Sequence, residues 1–103
     1  MKLRIQESKI TLRLSIEEVH LLSARRKINQ SMNLRGGSVN IVLEVNSEEE
    51  IDLHYADGVY SFAFPERHLQ EWRESNKVGY HRNLGDIDLT IEKDLPKRNI
   101  SHG

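Results

Sequence analysis

The fold is decided by residues 38–65, S-V-N-I-V-L-E-V-N-S-E-E-E-I-D-L-H-Y-A-D-G-V-Y-S-F-A-F-P. Asp57-Gly58 between two alternating apolar runs is a strong β-hairpin signal, because both central residues of a type I′ turn need positive φ. A slip of one residue would turn every side chain to the wrong face, so the pattern also predicts the register. Counting outward from this loop gives three apolar pairs on one face, Tyr55:Tyr60, Leu53:Phe62 and Ile51:Phe64.

The segment before this hairpin extends the same alternation. Val39 to Val45 alternates between apolar and polar residues, and pairing Val45 with Ile51 keeps the apolar face continuous. Gly36-Gly37 supplies another two-residue loop, so a strand from Lys27 precedes it and the pattern predicts four consecutive antiparallel strands. The predicted pairs around this loop are Leu34:Val39, Met32:Ile41 and Ile28:Val45.

The N-terminal region predicts a hairpin followed by a helix. With Glu7-Ser8 as a loop, Leu3 pairs with Leu12 and Ile5 with Ile10. Ser15-Ile16-Glu17-Glu18 is a capping box, in which the serine hydroxyl and the glutamate carboxylate accept from each other's backbone N–H. It predicts a short helix from Ile16 to about Ala24.

The C-terminal third predicts a second helix and a last hairpin. Pro65 can occupy the first helical turn, with Leu69 and Trp72 on the inner face of the helix that follows. Taking Leu84-Gly85 as the final loop predicts four pairs, Tyr80:Leu89, Val78:Ile91, His81:Asp88 and Lys77:Glu92.

These elements together predict an α+β fold in the order ββ-α-ββββ-α-ββ. All eight short strands are expected to be antiparallel and curled into a barrel-like or strongly twisted sheet, with a flatter two-layer arrangement as the alternative. Residues 1–95 form a single domain in this interpretation, and residues 96–103 form a flexible C-terminal tail.

Composition narrows the function classes. The chain has 103 residues, a formal net charge of −1 and no cysteine, which excludes disulfides and cysteine-containing zinc sites. No run approaches membrane-spanning length and the N-terminus lacks an apolar signal region, so we expect a soluble cytoplasmic protein with no membrane partner. The oligomeric state is left open.

The basic residues are concentrated near the N-terminus. Residues 1–35 contain eight Lys or Arg against three Glu, whereas residues 36–103 contain seven against thirteen Asp or Glu. This asymmetry predicts a face that can contact an anionic ligand or a nucleic-acid backbone, through Lys2, Arg4, Arg13, Arg25, Arg26 and Lys27. The alternative is that these cations pair with Glu44, Asp88 and Glu92 on neighbouring strands.

Catalytic and metal-binding patterns are not found in the sequence. The five histidines match no ligand spacing, and no nucleophile motif, phosphate loop or dinucleotide fingerprint occurs. We therefore expect no catalytic residues, no metal and no cofactor.

Three segments carry a resemblance to a known family. These are M-K-L-R-I-Q with L-R-L-S after it, F-P…W…V-G between Phe64 and Gly79, and L-T-I-E-K-D at Leu89 to Asp94. Together they resemble a family of small bacterial proteins of unknown function, in which a Gly-Asn pair replaces Glu7-Ser8. The resemblance implies no activity.

The expected function is therefore that of a non-enzymatic domain that binds another protein. An edge strand, or the face around Trp72, Tyr55 and Tyr60, would supply the contact surface, although these aromatic residues also fit the core pattern. Nucleic acid is the less favoured partner, since no aromatic residues are interleaved with the basic ones.

Overall fold

The computed structural model describes residues 1–94, which form eight strands and two helices. The predicted tail at residues 96–103 lies outside the described residues. The elements are β1 (Lys2–Gln6), β2 (Lys9–Leu14), α1 (Ile16–Arg25), β3 (Lys27–Leu34), β4 (Gly37–Asn46), β5 (Asp52–Ala56), β6 (Val59–Pro65), α2 (Glu66–Glu74), β7 (Gly79–Asn83) and β8 (Asp88–Lys93).

Helix α1 begins and ends as its sequence dictates. The Ser15 hydroxyl accepts from the Glu18 backbone N–H, and the Glu18 carboxylate accepts from the Ser15 N–H, so the predicted capping box is confirmed. The helix ends at Arg26, which adopts a left-handed conformation with φ 68° and donates its N–H to the Leu22 carbonyl. Val19 and Leu22 are buried against the sheets.

The predicted α+β class, with eight strands and two helices, is confirmed. The strands form two separate four-stranded sheets, however, so the prediction of one antiparallel, barrel-like sheet is wrong. Sheet A has the order β1-β2-β8-β7 and sheet B the order β3-β4-β6-β5, and neither is closed. The two central strands of each sheet are parallel, β2 with β8 and β4 with β6. The alternating pattern could not predict which strand pairs with β4, because β5 and β6 both carry apolar residues on one face. In the structure β6, which contains the buried Phe62 and Phe64, is the central strand next to β4.

Two predicted hairpin registers are confirmed. Leu3 lies opposite Leu12 and Ile5 opposite Ile10, with Glu7 adopting a φ of 53° in the turn. In the second hairpin, the Tyr55 and Leu53 pairs form as expected around Asp57-Gly58. That ladder ends at Asp52 opposite Ala63, so Ile51 precedes the strand and its predicted pairings do not form.

The other two registers differ from the prediction by two residues, which leaves every side chain on its expected face. Met32 lies opposite Val39, since Gly36 takes the positive φ and Gly37 already begins β4. In the last hairpin Tyr80 lies opposite Ile91, so the predicted charged pairs are not register neighbours.

A longer loop causes the shift in the last hairpin. The Asn83 carboxamide accepts from the Gly85 N–H at 3.0 Å and donates to the Asp88 carboxylate at 2.7 Å. The Leu84 N–H also donates to the Ile87 carbonyl at 2.7 Å. These contacts fix residues 84–87 as a four-residue loop in place of the expected two-residue one.

The chain contains an internal repeat that the sequence analysis does not detect. The first unit is β1-β2-α1-β3-β4 and the second is β5-β6-α2-β7-β8. In sheet A Ile10 pairs with Leu89, and in sheet B Tyr60 pairs with Ile41. Tyr60 lies fifty positions after Ile10 in the sequence, and Ile41 lies forty-eight positions before Leu89. The same offsets relate every pair of β2 and β8 to a pair of β6 and β4, so the two halves of the chain are equivalent in topology and register.

One apolar core lies between these elements. It includes the fully buried Leu12, Leu43, Phe64 and Leu89, and Trp72 from α2 packs on Phe64 with ring centroids 4.6 Å apart. The buried Lys93 amine donates to the carbonyls of Trp72 and Ser75 at the end of α2, at 2.8 and 3.2 Å.

Candidate binding surfaces

The end of sheet B formed by the turns of its two hairpins carries exposed apolar side chains. We define the apolar end of sheet B as Met32, Leu34, Val39, Tyr55 and Tyr60. Met32, Leu34 and Tyr55 are 57%, 53% and 57% exposed, and the two tyrosine rings lie 4.7 Å apart. By strand alternation these side chains lie on the same face as the buried core residues. The core face of sheet B therefore continues beyond the part that is covered.

The equivalent end of sheet A is partly covered by its own chain. Strands β3 and β4 are 8 and 10 residues long, whereas their counterparts β7 and β8 have 5 and 6. The loop after β7 places Leu84 and Ile87 against the core, at the positions that correspond to Met32 and Val39. Ile5, the counterpart of Tyr55, is 53% exposed. The longer hairpin is what leaves sheet B uncovered.

The aromatic residues that the sequence predicted as a contact surface differ in their exposure. Trp72 is only 2% exposed and belongs to the core, so it cannot form a contact surface. Tyr60 is half-buried beside Tyr55, which is exposed. Of the three, only the tyrosine pair lies at the surface.

The basic residues named from the sequence are divided among different places. Lys2, Arg4 and Arg13 line a groove of about 250 Å³ on the outer face of sheet A, together with Thr11 and Glu92. We call this the basic groove. Lys2 lies directly opposite Arg13, and Arg4 lies opposite Thr11.

Arg13 is held by carboxylates of β8 and of the residue after it. Its Nε donates to the Glu92 carboxylate at 2.8 Å, and the same guanidinium lies 3.5 Å from the Asp94 carboxylate. The hydrogen bond and charge of Glu92 raise the pKa of Arg13. For Arg13, this pair confirms the alternative prediction that the cations pair with acidic residues of neighbouring strands, because β2 is adjacent to β8. Within residues 1–94, neither Lys2 nor Arg4 has a carboxylate partner.

The remaining three cations do not line the basic groove. Arg26 donates to the Glu66 carboxylate at 2.6 Å, and Lys27 lies opposite Glu44 on the outer face of sheet B. Arg25 is an exposed residue in the last turn of α1. The six residues thus do not form one continuous surface.

Another recess, with a volume of about 370 Å³, lies between α2 and the loop of residues 47–51, which contains Glu48, Glu49 and Glu50. Arg67 donates to the Glu49 carbonyl at 2.6 Å, and Arg82 donates to the Ile51 carbonyl at 2.9 Å and lies 3.5 Å from the Glu50 carboxylate. These contacts attach the loop to α2 and β7. The arginines are therefore engaged in holding the structure together.

Two aromatic rings line this recess. His68 stacks on Tyr80 with centroids 3.8 Å apart, and burial lowers the pKa of His68. The Tyr80 hydroxyl donates to the Glu71 carboxylate at 2.5 Å, and burial followed by this bond raises the pKa of Tyr80. In residues 1–94 no three His, Asp or Glu side chains are grouped so that they could hold a metal ion.

Comparisons with known proteins give a family and no activity. Neither described helix is long and apolar enough to cross a membrane. No curated protein and no solved structure matches the chain. A family model matches residues 1–97, which confirms the resemblance to a family of unknown function seen in the sequence. The chain belongs to this family, DUF7009.

Proposed function

We propose that this domain is non-enzymatic and binds another protein through the apolar end of sheet B. The observation that supports the proposal is that Met32, Leu34 and Tyr55 are each more than half exposed on the two edge strands of one sheet face, with the half-buried Val39 and Tyr60 on the strands between them. Single exposed apolar residues are ordinary on protein surfaces, but a contiguous group marks an interaction site. The equivalent end of sheet A gives an internal comparison, because Leu84 and Ile87 pack against the core there whereas Met32 at the corresponding place in sheet B is 57% exposed.

The composition of this surface suits a protein partner. Tyrosine and methionine are enriched at protein interfaces, because they supply large contact areas and methionine adapts its shape to irregular partners. Each square ångström of apolar surface removed from water contributes about 25 cal/mol.

Strand β3 suggests how the partner is bound. It lies at the edge of sheet B, and residues 31–34 are exposed. An edge strand presents unpaired N–H and C=O groups to which an extended segment can add as a further strand. A partner segment with alternating apolar side chains would place them beside Met32 and Leu34. The proposed partner is thus an extended, alternately apolar segment of another protein.

Site-directed photo-crosslinking in cells tests this proposal. A photoreactive amino acid at position 32 or 34 should give a discrete adduct with one partner, because both positions point to the apolar side. The same amino acid at position 31 or 33, on the opposite face of the same strand, should give little or none of that adduct.

The purified partner then permits a matched comparison. Met32→Ser with Leu34→Ser should weaken binding by tenfold or more while the protein stays folded, whereas Ser31→Ala with Asn33→Ala should bind normally. Equal adducts from both faces, or full binding by the serine variant, would contradict the proposed surface.

A further inference from the structure

We propose that the basic groove of sheet A is a binding site for a phosphate-type oxyanion. The groove is lined by Lys2, Arg4 and Arg13, by the Thr11 hydroxyl and by a single carboxylate, Glu92. Asp94 also lies 3.5 Å from Arg13, so three cations against two carboxylates leave a formal excess of one positive charge, which suits an anion. This site is separate from the proposed protein-binding surface and does not depend on it.

The strand register leaves positive charge in the basic groove without a compensating negative charge. Lys2 and Arg13 face each other directly across the β1–β2 pair, and like charges at directly opposed positions are destabilising. Glu92 compensates Arg13 from the other side through β8. Arg4 lies two pairs further along and adds a third positive charge on the same face. An anion between Lys2 and Arg4 would relieve this repulsion.

The donors fit the chemistry of a phosphoryl group. Guanidinium groups bind phosphate through two parallel N–H···O bonds, and lysine contributes a point charge. Arg13 is already oriented by Glu92, whereas Lys2 and Arg4 have no carboxylate partner within residues 1–94. A volume of about 250 Å³ provides space for one phosphoryl group with its bound waters.

The internal repeat supplies a comparison within the same molecule. The outer face of sheet B has a groove of about 390 Å³ at the equivalent place. The residues Lys2, Arg4, Thr11, Arg13 and Glu92 correspond there to Asp52, His54, Ser61, Ala63 and Glu44. The fold thus builds the same recess twice, and only the copy on sheet A is lined by three residues of permanent positive charge.

Backbone NMR with inorganic phosphate as the probe tests the site. At pH 7.5, with sodium chloride held at matched ionic strength, phosphate should shift the amide signals of Lys2, Arg4, Thr11 and Arg13 in a saturable manner. The amides of Asp52, His54, Ser61 and Ala63 should not shift. Non-saturable changes, or changes of equal size in both grooves, would overturn the proposal.

A pair of double variants gives a second, independent measurement. Lys2→Gln with Arg4→Gln should raise the dissociation constant for phosphate about tenfold or more, which corresponds to about 1.4 kcal/mol. Lys9→Gln with Arg35→Gln removes the same charge outside the groove and should change it less than twofold. An equal loss in both variants would mean general charge attraction and would refute a site.

A competition experiment identifies the source of the phosphoryl group. A short single-stranded oligothymidylate that displaces inorganic phosphate from the groove, with an affinity that falls steeply with salt, would assign a nucleic-acid backbone. Failure to compete would assign a small phosphorylated molecule. Both results require the phosphate binding that the first experiment measures, and its absence there would refute either source.

Discussion

Gly79→Ala tests the observed register of the last hairpin and the packing of β7 on β8. A Cβ atom added at Gly79 would lie 2.5 Å from the Ile91 carbonyl oxygen and 2.7 Å from the Glu92 Cα. Both neighbours are backbone atoms of the adjacent strand, so no flexible side chain can move aside. Under the register expected from the sequence, Gly79 would face Thr90 and these contacts would not arise.

The size of the effect follows from two opposing contributions. Forcing one extra carbon into a packed site costs about 1–3 kcal/mol. Replacing glycine by alanine also restricts the unfolded chain, which returns about 0.4–1 kcal/mol. We therefore expect a net loss of about 1–2 kcal/mol in the free energy of unfolding. For a domain of this size that corresponds to a fall of roughly 5–15 °C in Tm.

Thermal unfolding followed by circular dichroism measures this change, with Gly37→Ala as the matched control. Gly37 begins β4, and a Cβ atom there would meet nothing within 4 Å. The control should therefore keep or slightly raise Tm. If both alanine variants have the same Tm, the close approach of β7 to β8 is not present in solution and the observed register is refuted.

Two further predictions concern the helices. Ser15→Ala removes the confirmed N-cap of α1 and should lower the free energy of unfolding by about 1 kcal/mol. The control Ser47→Ala, at an exposed loop position, should leave the free energy of unfolding unchanged. Chemical denaturation measures both variants, and equal values would contradict the capping role of Ser15. Burial lowers the pKa of His68, so the folded state binds fewer protons than the unfolded state below the ordinary histidine pKa of about 6.5, and stability is lost as the pH falls through that range. His68→Phe keeps a ring against Tyr80 and should reduce the fall in Tm between pH 7.5 and pH 5.5. The control His54→Phe, on the exposed face of β5, should leave that fall in Tm unchanged. If His68→Phe also leaves the fall in Tm unchanged, His68 is not responsible for it.

The candidate surfaces were only partly predictable. Lys2, Arg4 and Arg13 could be predicted to lie together, because they share one face of a hairpin whose register is local. The prediction that Arg25, Arg26 and Lys27 continue this face was wrong, because their positions depend on where α1 ends and on how β3 enters the other sheet. The exposure of Met32 and Leu34 was missed, since alternating apolar residues in a strand indicate a core face and do not reveal whether anything covers it.

The internal repeat was missed for a related reason. The element order ββ-α-ββββ-α-ββ already contains two equal halves, but the residues at equivalent positions differ in chemistry, as Lys2 and Asp52 show. Only the pairing of β2 with β8 and of β4 with β6 makes the equivalence visible.

The sequence by itself determined the turns of the β1–β2 and β5–β6 hairpins, the capping box of α1 and the face on which each strand residue lies. These features depend on φ preferences, on hydrogen bonds between near neighbours and on the two-residue period of a strand. Tertiary structure alone decided that the hairpins pair through parallel central strands, that the sheets stay open and that one end of sheet B stays uncovered. These features depend on which of several distant segments with similar apolar patterns pack against each other. The packing of the whole core decides this, and a local sequence pattern contains no information about it.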